Sequence, residues 1–298
     1  MVTGDNELTA LTIAKEIGLI EKDEDVITGD ELEKLSDEEL SSIILKTRVF
    51  ARTKPEQKLR LVTVLQNLGI IVGVTGDGVN DALALKKADV GLAMGKGGTD
   101  VAKEASDIIL ADDNFATLIR AVEEGRVIYK NIVNAILFLL AGNLSELSLI
   151  FFATLLQLPF PLLPTHILWI NLVTDSVPAL ALATGKRDLT VLTHKPRDPH
   201  APLLTRERTI LVCIIGFSLA AFLLLLFSIL LHVTSHIQAQ TIIFNVLIFS
   251  QLLLAMWFGR HSLKHGNPFL IISVLVIALL QILITYIPFF QAIFNLKV

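Results

Sequence analysis

Five long apolar segments restrict what this chain can fold into more than any other feature of its sequence. They lie at about residues 134–157, 163–184, 209–231, 241–259 and 268–287. A membrane-spanning helix needs roughly 20 consecutive apolar residues, and each segment is long enough. Residues 209–259 carry no Asp, Glu, Lys or Arg, and residues 134–184 carry only Glu146 and Asp175. The pattern predicts an α-helical transmembrane bundle with five spans.

The first 130 residues have a different character, because they hold most of the charged side chains. Strand-like segments alternate there with helix-like ones: the strands are at 47–51, 70–74, 89–94 and 107–110, and the helices are at 7–19, 54–69 and 82–88. Such alternation predicts a parallel sheet that helices cover on both faces. Ligands of these sheets bind outside the carboxyl ends of the strands.

The tripeptide Thr-Gly-Asp occurs twice, at residues 3–5 and again in "TGDGVND" at 75–81. The second copy follows the strand predicted at 70–74 and the first follows Val2, and both are expected at the ligand-binding edge of the sheet. Carboxylates, amides and glycines in a tight loop suit the binding of phosphate and a metal ion. One copy is equally well an ordinary turn, but two copies favour a ligand site.

Composition excludes several other classes of protein. A net charge of -4 and a pI near 6.0 give no sign of a nucleic-acid partner. The single cysteine, Cys213, lies in an apolar run and cannot form a disulfide within the chain. The opening residues, "MVTGDNELTA", are polar and predict no secretory signal.

The segments between the spans predict the orientation in the membrane. Segments 158–162 and 232–240 contain no Lys or Arg. The basic residues lie in the other two connections, as Lys186, Arg187, Lys195, Arg197, Arg206 and Arg208, and as Arg260 and Lys264. Basic connections stay in the cytoplasm, so the N-terminal part is predicted to be cytoplasmic. The expected location is the plasma membrane, or the inner membrane if the source is bacterial.

The segment that leads into the first span, "FATLIRAVEEGRVIYKNIVNAI" at 115–136, contains no proline and only Gly125 as a weak helix former. We therefore predict one unbroken helix that runs as a stalk into the membrane. A rigid stalk of this kind could transmit force from a phosphate site to the bilayer.

Polar residues inside the first two spans predict a cation site. A charge at the centre of a bilayer costs about 3 kcal/mol even by the lower estimates. Asn143 and Glu146 are three residues apart in the first span and are predicted to share a helical face. The second span offers Asn171, Thr174 and Asp175, and Pro178 is expected to free backbone carbonyls nearby.

These two spans are joined by a short proline-rich turn, so they are predicted to be antiparallel neighbours with facing polar residues. Carboxylate, amide and hydroxyl oxygens suit a hard cation, and two carboxylates match the charge of one divalent ion. The alternative is a polar network that holds the helices together. In the fourth span, Gln251 could join the site or bond across helices, whereas Asn245 is interpreted as structural. His166 is predicted to lie at the outer membrane interface.

Several long motifs resemble those of P-type cation-transporting ATPases, in particular the calcium-pump and sodium-pump branch. They are "FARTKPEQK", "TGDGVNDALALKKADVGLAMG", "ASDIILADDNF", "AVEEGR" and "LWINLVTDSVPA". The resemblance covers nearly the whole chain and is specific because the motifs are long. It implies a C-terminal portion of such a pump, whose five spans match the fifth to ninth membrane helices.

The resemblance further implies an α/β haloacid-dehalogenase-like, Rossmann-like partial phosphorylation domain that works with ATP and Mg²⁺. Asp77 matches the Mg²⁺ ligand, Lys58 the lysine that neutralises the acyl phosphate, and Thr3 and Gly4 a phosphate-holding loop. The residues assigned to this chemistry are Thr3, Gly4, Asp5, Lys58, Gly76, Asp77, Gly78, Asn80 and Asp81. The residues assigned to the transported cation are Asn143, Glu146, Asn171, Thr174, Asp175 and Gln251.

The chain departs from the family pattern in ways that matter for activity. It has no "DKTGT" motif with the phosphorylated aspartate, no nucleotide-binding or actuator domain, and no counterpart of the first four helices or the tenth. We expect a partial phosphorylation domain at 1–114, a stalk at 115–133 and a transmembrane domain at 134–298. Gln251 stands where some two-ion calcium pumps have glutamate, which favours a single divalent ion.

Three functions remain open at this stage. The chain is a fragment or split subunit of a cation pump, inactive without its N-terminal half; or it is a free-standing, non-catalytic protein that binds cations or regulates a pump. A membrane-anchored phosphatase ranks last, because no nucleophilic aspartate is evident. The ion could be Ca²⁺, Mn²⁺ or Na⁺, and geometry has to decide between them.

Overall fold

The computed structural model describes residues 1–21, 26–185, 189–193, 197–198, 201–260, 263 and 267–297. The chain divides into two compact units, Met1–Arg120 and Ala121–Val298. Four of the basic residues used above for orientation, Lys186, Arg187, Lys195 and Lys264, lie outside the described residues.

The first unit alternates helices and strands. Its elements are α1 (Glu7–Glu16), β1 (Val26–Thr28), α2 (Gly29–Lys34), α3 (Asp37–Ile43), β2 (Val49–Ala51), α4 (Pro55–Asn67), β3 (Gly73–Gly76), α5 (Ala82–Lys87), β4 (Val90–Met94), α6 (Asp100–Glu104) and β5 (Ile108–Leu110). All strand pairs are parallel: β1 pairs with β2, and β3, β4 and β5 form a second sheet in that order. The parallel arrangement is thus confirmed, but the described strands form two small sheets instead of one.

Strand β3 begins three residues later than the sequence predicts, and one carboxylate explains the shift. The backbone N–H of Val72 donates to Oδ2 of Asp89 at 2.8 Å instead of joining the ladder. This bond, followed by one from the Gln66 amide, holds the pKa of Asp89 below its usual range. The regular register with β4 therefore starts only at Gly73, which is opposite Val90.

The sequence prediction missed α2 and α3, although each begins with a capping box. Thr28 and Glu31 exchange side-chain and backbone hydrogen bonds at the start of α2, and Ser36 and Glu39 do so at the start of α3. The backbone N–H bonds in these boxes lower the pKa of both glutamates. The two helices enclose a small core with Leu32, Leu40 and neighbouring side chains.

The second unit is helical. After α7 (Phe115–Leu155) come α8 (Pro164–Trp169), a π-helical segment (Ile170–Asp175), α9 (Ser176–Ala183), α10 (Arg206–Val233), α11 (His236–Phe258), α12 (Pro268–Tyr286) and α13 (Pro288–Phe294). Five helical stretches of described residues are long and apolar enough to cross a membrane, and they coincide with the five predicted spans. Helix α7 runs without a break through Gly125, as predicted for an unbroken helix, while its role as a stalk stays a prediction.

The second predicted span is interrupted by the π-helical segment, and Pro178 accounts for the interruption. Proline has no N–H, and its ring crowds the carbonyl four residues earlier, here that of Thr174. The helix widens just before this point, and the hydroxyl of Ser176 donates to the carbonyl of Asn171 at 2.8 Å. Wider turns of this kind are frequent at functional sites.

Helix α11 lies at the centre of the second unit. It packs against α10, the π-helical segment, α9 and α12. Its side chains Ile243, Phe244, Leu247 and Ile248 are fully buried. Helix α11 also carries Gln251, so the central helix of the bundle contributes a residue to the predicted cation site.

We expect Gly216→Leu to lower the stability of the chain, because α10 contacts α7 closely at this glycine. A Cβ atom there would approach Cγ of Leu144 to 2.9 Å. Overpacking costs about 1–3 kcal/mol, so the unfolding temperature in detergent should fall. Gly125→Leu on α7 is the control, since a Cβ there has no neighbour within 4 Å. Equal unfolding temperatures for the two variants would contradict the tight contact.

Candidate functional site

Two buried side chains from distant parts of the sequence meet in the membrane-spanning unit. Glu146 on α7 is 5% exposed and Gln251 on α11 is fully buried. The side-chain nitrogen Nε2 of Gln251 donates to Oε1 of Glu146 at 2.7 Å. A hydrogen bond to a carboxylate is short and strong, so it holds Glu146 and Gln251 together. The amide oxygen of Gln251 is buried without a hydrogen-bond partner.

Asp175, the last residue of the π-helical segment, lies beside this pair. Both of its carboxylate oxygens are buried and without a hydrogen-bond partner. A Cβ atom added to Gly142 on α7 would be 3.2 Å from Nε2 of Gln251 and 3.9 Å from each carboxylate oxygen of Asp175. Side chains of two elements, α11 and the π-helical segment, thus come within 4 Å of one point on α7.

The other three residues predicted for the cation site are placed differently. Thr174 is fully buried, but its hydroxyl donates to the carbonyl of Ile170 at 3.0 Å. Asn143 and Asn171 are exposed on the described surface of the bundle, and the amide of Asn171 donates to the carbonyl of Ile167. We predicted that Asn143 shares a helical face with Glu146, and Asn171 with Asp175, but in this chain the carboxylates are buried and the asparagines are exposed. A separation of three residues turns a helix by about 300°, which leaves neighbours about 60° apart.

A second polar network lies elsewhere in the bundle and is internally satisfied. Oδ1 of Asn245 accepts from the amide of Gln281 at 3.0 Å and from the hydroxyl of Thr285 at 2.9 Å. The indole N–H of Trp169 donates to Gln281 at 3.0 Å. The structural interpretation of Asn245 is therefore confirmed, because its bonds join α11 to α12.

His166, which was predicted to lie at the outer membrane interface, packs inside the bundle. It is fully buried, stacks on the Phe244 ring at 4.2 Å, and its Nε2 bonds the carbonyl of Phe294 at 2.7 Å. The His166 ring packs inward because Phe244 on α11 stacks on it and the carbonyl of Phe294 on α13 bonds its Nε2.

The first unit holds its two Thr-Gly-Asp loops by different bonds. The carbonyl of Thr3 accepts from both the backbone N–H and the hydroxyl of Thr53, at 3.0 and 2.9 Å. The backbone N–H of Thr3 donates to Phe50 on β2 at 2.9 Å. Gly4 and Asp5 are exposed. The first loop is therefore fixed to the segment between β2 and α4.

The second loop, residues 75–81, is held by Asp81. Nζ of Lys58, in the second turn of α4, donates to Oδ1 of Asp81 at 2.6 Å, and both side chains are at most 16% exposed. Gly76 has to be glycine, since a Cβ atom there would collide with the Asp81 side chain. Asp81 also accepts from the backbone N–H groups of Asp77 and Gly78, at 3.4 Å each.

Asp77 and Asn80 are exposed at the end of β3, so their side-chain oxygens are accessible to a ligand. Within the described residues there is no group of three or more His, Cys, Asp or Glu side chains that could hold a metal ion alone. Mg²⁺ usually binds through one or two carboxylates together with waters and phosphate oxygens. The residues of this loop fit that mode of binding.

The sequence analysis did not identify Gly142 as part of the site, because no pattern in the sequence marks it. A lone glycine in an apolar helix is tolerated and has no special meaning. Only the packing of α7 against α11 and the π-helical segment reveals that it lies at the centre of the polar cluster.

Comparison with known proteins identifies the family of the chain. A family profile described as "Cation transporting ATPase, C-terminus" matches residues 159–297. The calcium-transporting ATPase of Bacillus subtilis is 44% identical over 302 aligned residues, which cover 99% of this chain and 34% of that protein. The chain belongs to the P-type cation-transporting ATPases.

Two further relatives support the same family. The probable cation-transporting ATPase F of Mycobacterium tuberculosis is 40% identical, and the calcium-transporting ATPase 1 of Saccharomyces cerevisiae is 39% identical. Each alignment covers 99% of this chain but 34% and 32% of the relative. The chain thus spans about a third of the length of the P-type ATPases it matches, and it corresponds to their C-terminal portion. Its five apolar helices make it a multi-pass integral membrane protein.

Proposed function

We propose that this chain supplies the cation-binding helices and part of the phosphorylation site of an ATP-driven cation pump. One observation carries the proposal. Three buried acceptor oxygens, two on Asp175 and one on Gln251, have no hydrogen-bond partner. An uncompensated charge inside a bilayer is costly, so such a cluster persists where a cation binds it.

The transported cation is divalent, and Ca²⁺ is our choice. Glu146 and Asp175 supply two negative charges, and residues 134–184 contain no Lys or Arg. Carboxylate and amide oxygens are ligands for hard cations, and Ca²⁺ accepts six to eight of them. Relatives named as calcium-transporting ATPases point to the same ion. Thr174, which is fully buried and precedes Asp175, is the further candidate ligand, whereas Asn143 and Asn171 are exposed in this chain and stay sequence predictions.

The first unit supports the other half of the proposal. We infer a partial haloacid-dehalogenase-like domain at 1–114, followed by a stalk at 115–133 and the membrane domain at 134–298. Asp77, with Asn80 beside it, would hold Mg²⁺, which neutralises phosphate charge when bound. Lys58 and the loop at Thr3, Gly4 and Asp5 would hold phosphate oxygens of the group that ATP supplies. Positioning and positive charge carry most of the catalysis in phosphoryl transfer.

The side of the membrane follows from the described basic residues. Arg197, Arg206, Arg208 and Arg260 all lie in the connections that the positive-inside rule assigns to the cytoplasm. We infer a cytoplasmic first unit in a plasma or bacterial inner membrane. The lipid bilayer, the cation and the N-terminal half of a pump are the expected partners.

A chimeric pump tests the proposal. Here the region of the Bacillus subtilis calcium-transporting ATPase that aligns with this chain is replaced by the 298 residues. We expect Ca²⁺-stimulated ATP hydrolysis from the chimera and none from the chain alone, because the chain has no candidate nucleophile. Vanadate-sensitive turnover by the pure chain would contradict the second expectation.

A companion measurement covers the case in which the chimera misfolds. The chain in lipid nanodiscs should bind radiolabelled Ca²⁺, and Glu146→Gln should weaken that binding. A folded but inactive chimera together with Ca²⁺ binding by the chain would favour the non-catalytic, cation-binding alternative. Absence of binding from a folded chain would overturn the proposed cation site.

A further inference from the structure

Gly142 occupies the position on α7 where two other helical elements come closest. A Cβ atom at this residue would stand 3.2 Å from Nε2 of Gln251, which is tighter than most real contacts of Cβ atoms. The two oxygens of Asp175 would be at 3.9 Å, an ordinary van der Waals distance. The absence of a side chain at position 142 therefore matters for Gln251, which a Cβ atom would crowd, and not for Asp175, which it would not.

The space at Gly142 allows the Gln251 amide to reach Glu146. Gln251 donates from the same nitrogen to Glu146 at 2.7 Å, and it thereby turns its own oxygen away from this bond. The oxygen is buried and unpaired, as are both oxygens of Asp175. The direction of the Gln251 amide thus decides that its nitrogen bonds Glu146 while its oxygen is left without a partner. A methyl group at position 142 would displace the amide by a few tenths of an ångström and lengthen the bond.

We propose that Gly142 is a positioning residue for cation binding: by lacking a side chain, it lets the Gln251 amide lock Glu146 and present its own oxygen to the ion. This inference rests on the cation site proposed above. Gly142 itself offers no ligand atom, so its effect passes through Gln251. Residues that orient metal ligands typically change affinity by about 10–100-fold when replaced.

Binding of Ca²⁺ to the complete chain in lipid nanodiscs provides the first test. We expect Gly142→Ala to weaken the affinity at least about tenfold. Gly125→Ala is the matched control, because it makes the same change on the same helix with no neighbour within 4 Å. Equal affinities for the two variants would overturn the inference.

Unfolding temperatures provide a second test that needs no bound ion. Alanine is a better helix former than glycine, so Gly125→Ala should raise the unfolding temperature slightly. Gly142→Ala should lower it in the wild-type chain but raise it in a Gln251→Ala background, where the amide is gone. The same shift in both backgrounds would contradict a role through Gln251.

The two tests separate the inference from the proposed function. If the wild-type chain binds no Ca²⁺, the proposed function fails, and the unfolding temperatures still decide whether Gly142 positions Gln251. If it binds Ca²⁺ and Gly142→Ala changes nothing, only the inference fails.

Discussion

We expect Asp175→Asn to abolish Ca²⁺-stimulated ATP hydrolysis by the chimeric pump while raising the unfolding temperature of the cation-free chain. Asparagine keeps the size of the side chain but removes one of the two negative charges of the cluster. Replacing residues that merely orient ligands weakens metal binding by about 10–100-fold, so loss of a direct carboxylate should exceed about a hundredfold. Equilibrium Ca²⁺ binding and ATP hydrolysis measure the loss.

The opposite sign of the stability change follows from burial. Asp175 is 2% exposed, and neither of its oxygens has a hydrogen-bond partner. A buried charge without a partner destabilises the cation-free protein, so a neutral amide of the same shape should stabilise it. A misfolded variant would lose both binding and stability, and the paired readout therefore separates a site effect from a folding effect.

Ser273→Ala is the control for Asp175→Asn. Ser273 is also buried in a membrane helix, but its hydroxyl donates only to the carbonyl of Leu270 within α12. We expect unchanged Ca²⁺ affinity and turnover. If Asp175→Asn retained Ca²⁺ affinity within a few-fold of the wild type, Asp175 would not be a ligand.

The second large effect is expected from Lys58→Met in α4, which removes the bond to Asp81 of the loop at 75–81. Methionine keeps the apolar stem but removes the ammonium group that bonds Asp81 at 2.6 Å. Hydrogen bonds to charged groups contribute about 1.5–3 kcal/mol, so the unfolding free energy should fall by about that amount. Loss of one group that stabilises developing charge typically costs about 10²–10³ in turnover, which ATP hydrolysis by the chimera would report.

Lys54→Met is the matched control for this substitution. Lys54 immediately precedes the same helix, and its ion pair with Glu33 is more than half exposed on both sides. Exposed ion pairs contribute little. We expect near-normal turnover from Lys54→Met. Equal losses in the two variants would indicate that the start of α4 matters only for folding, which would remove Lys58 from the proposed chemistry.

The most reliable sequence predictions were those that depend on local composition. The five spans could be located because an apolar run of about 20 residues has few alternatives to crossing a membrane. Strands at 90–94 and 108–110 were also found, since short apolar runs between turn residues are typical of buried parallel strands. Helices α2, α3 and α6 were missed because they have five to seven residues and show too little periodicity.

The candidate cation site was predicted only in part. Glu146, Asp175 and Gln251 could be singled out, because polar residues in an apolar span are unusual. Their pairing could not be predicted, since the bond between Gln251 and Glu146 joins residues 105 positions apart. Asn143 was placed on the helical face of Glu146, and Asn171 on that of Asp175, but both asparagines are exposed in the structure.

The sequence by itself determined which segments are apolar enough to enter a membrane, which loops are rich in glycine and carboxylates, and which family motifs the chain carries. These are properties of neighbouring residues, so they are readable without a fold. Only the tertiary structure decided that Asp175 is unpaired, that Asp81 is bound by Lys58, and that Gly142 lies at the centre of the polar cluster. Those facts depend on how helices from distant parts of the chain pack, and side-chain packing is not encoded in local periodicity.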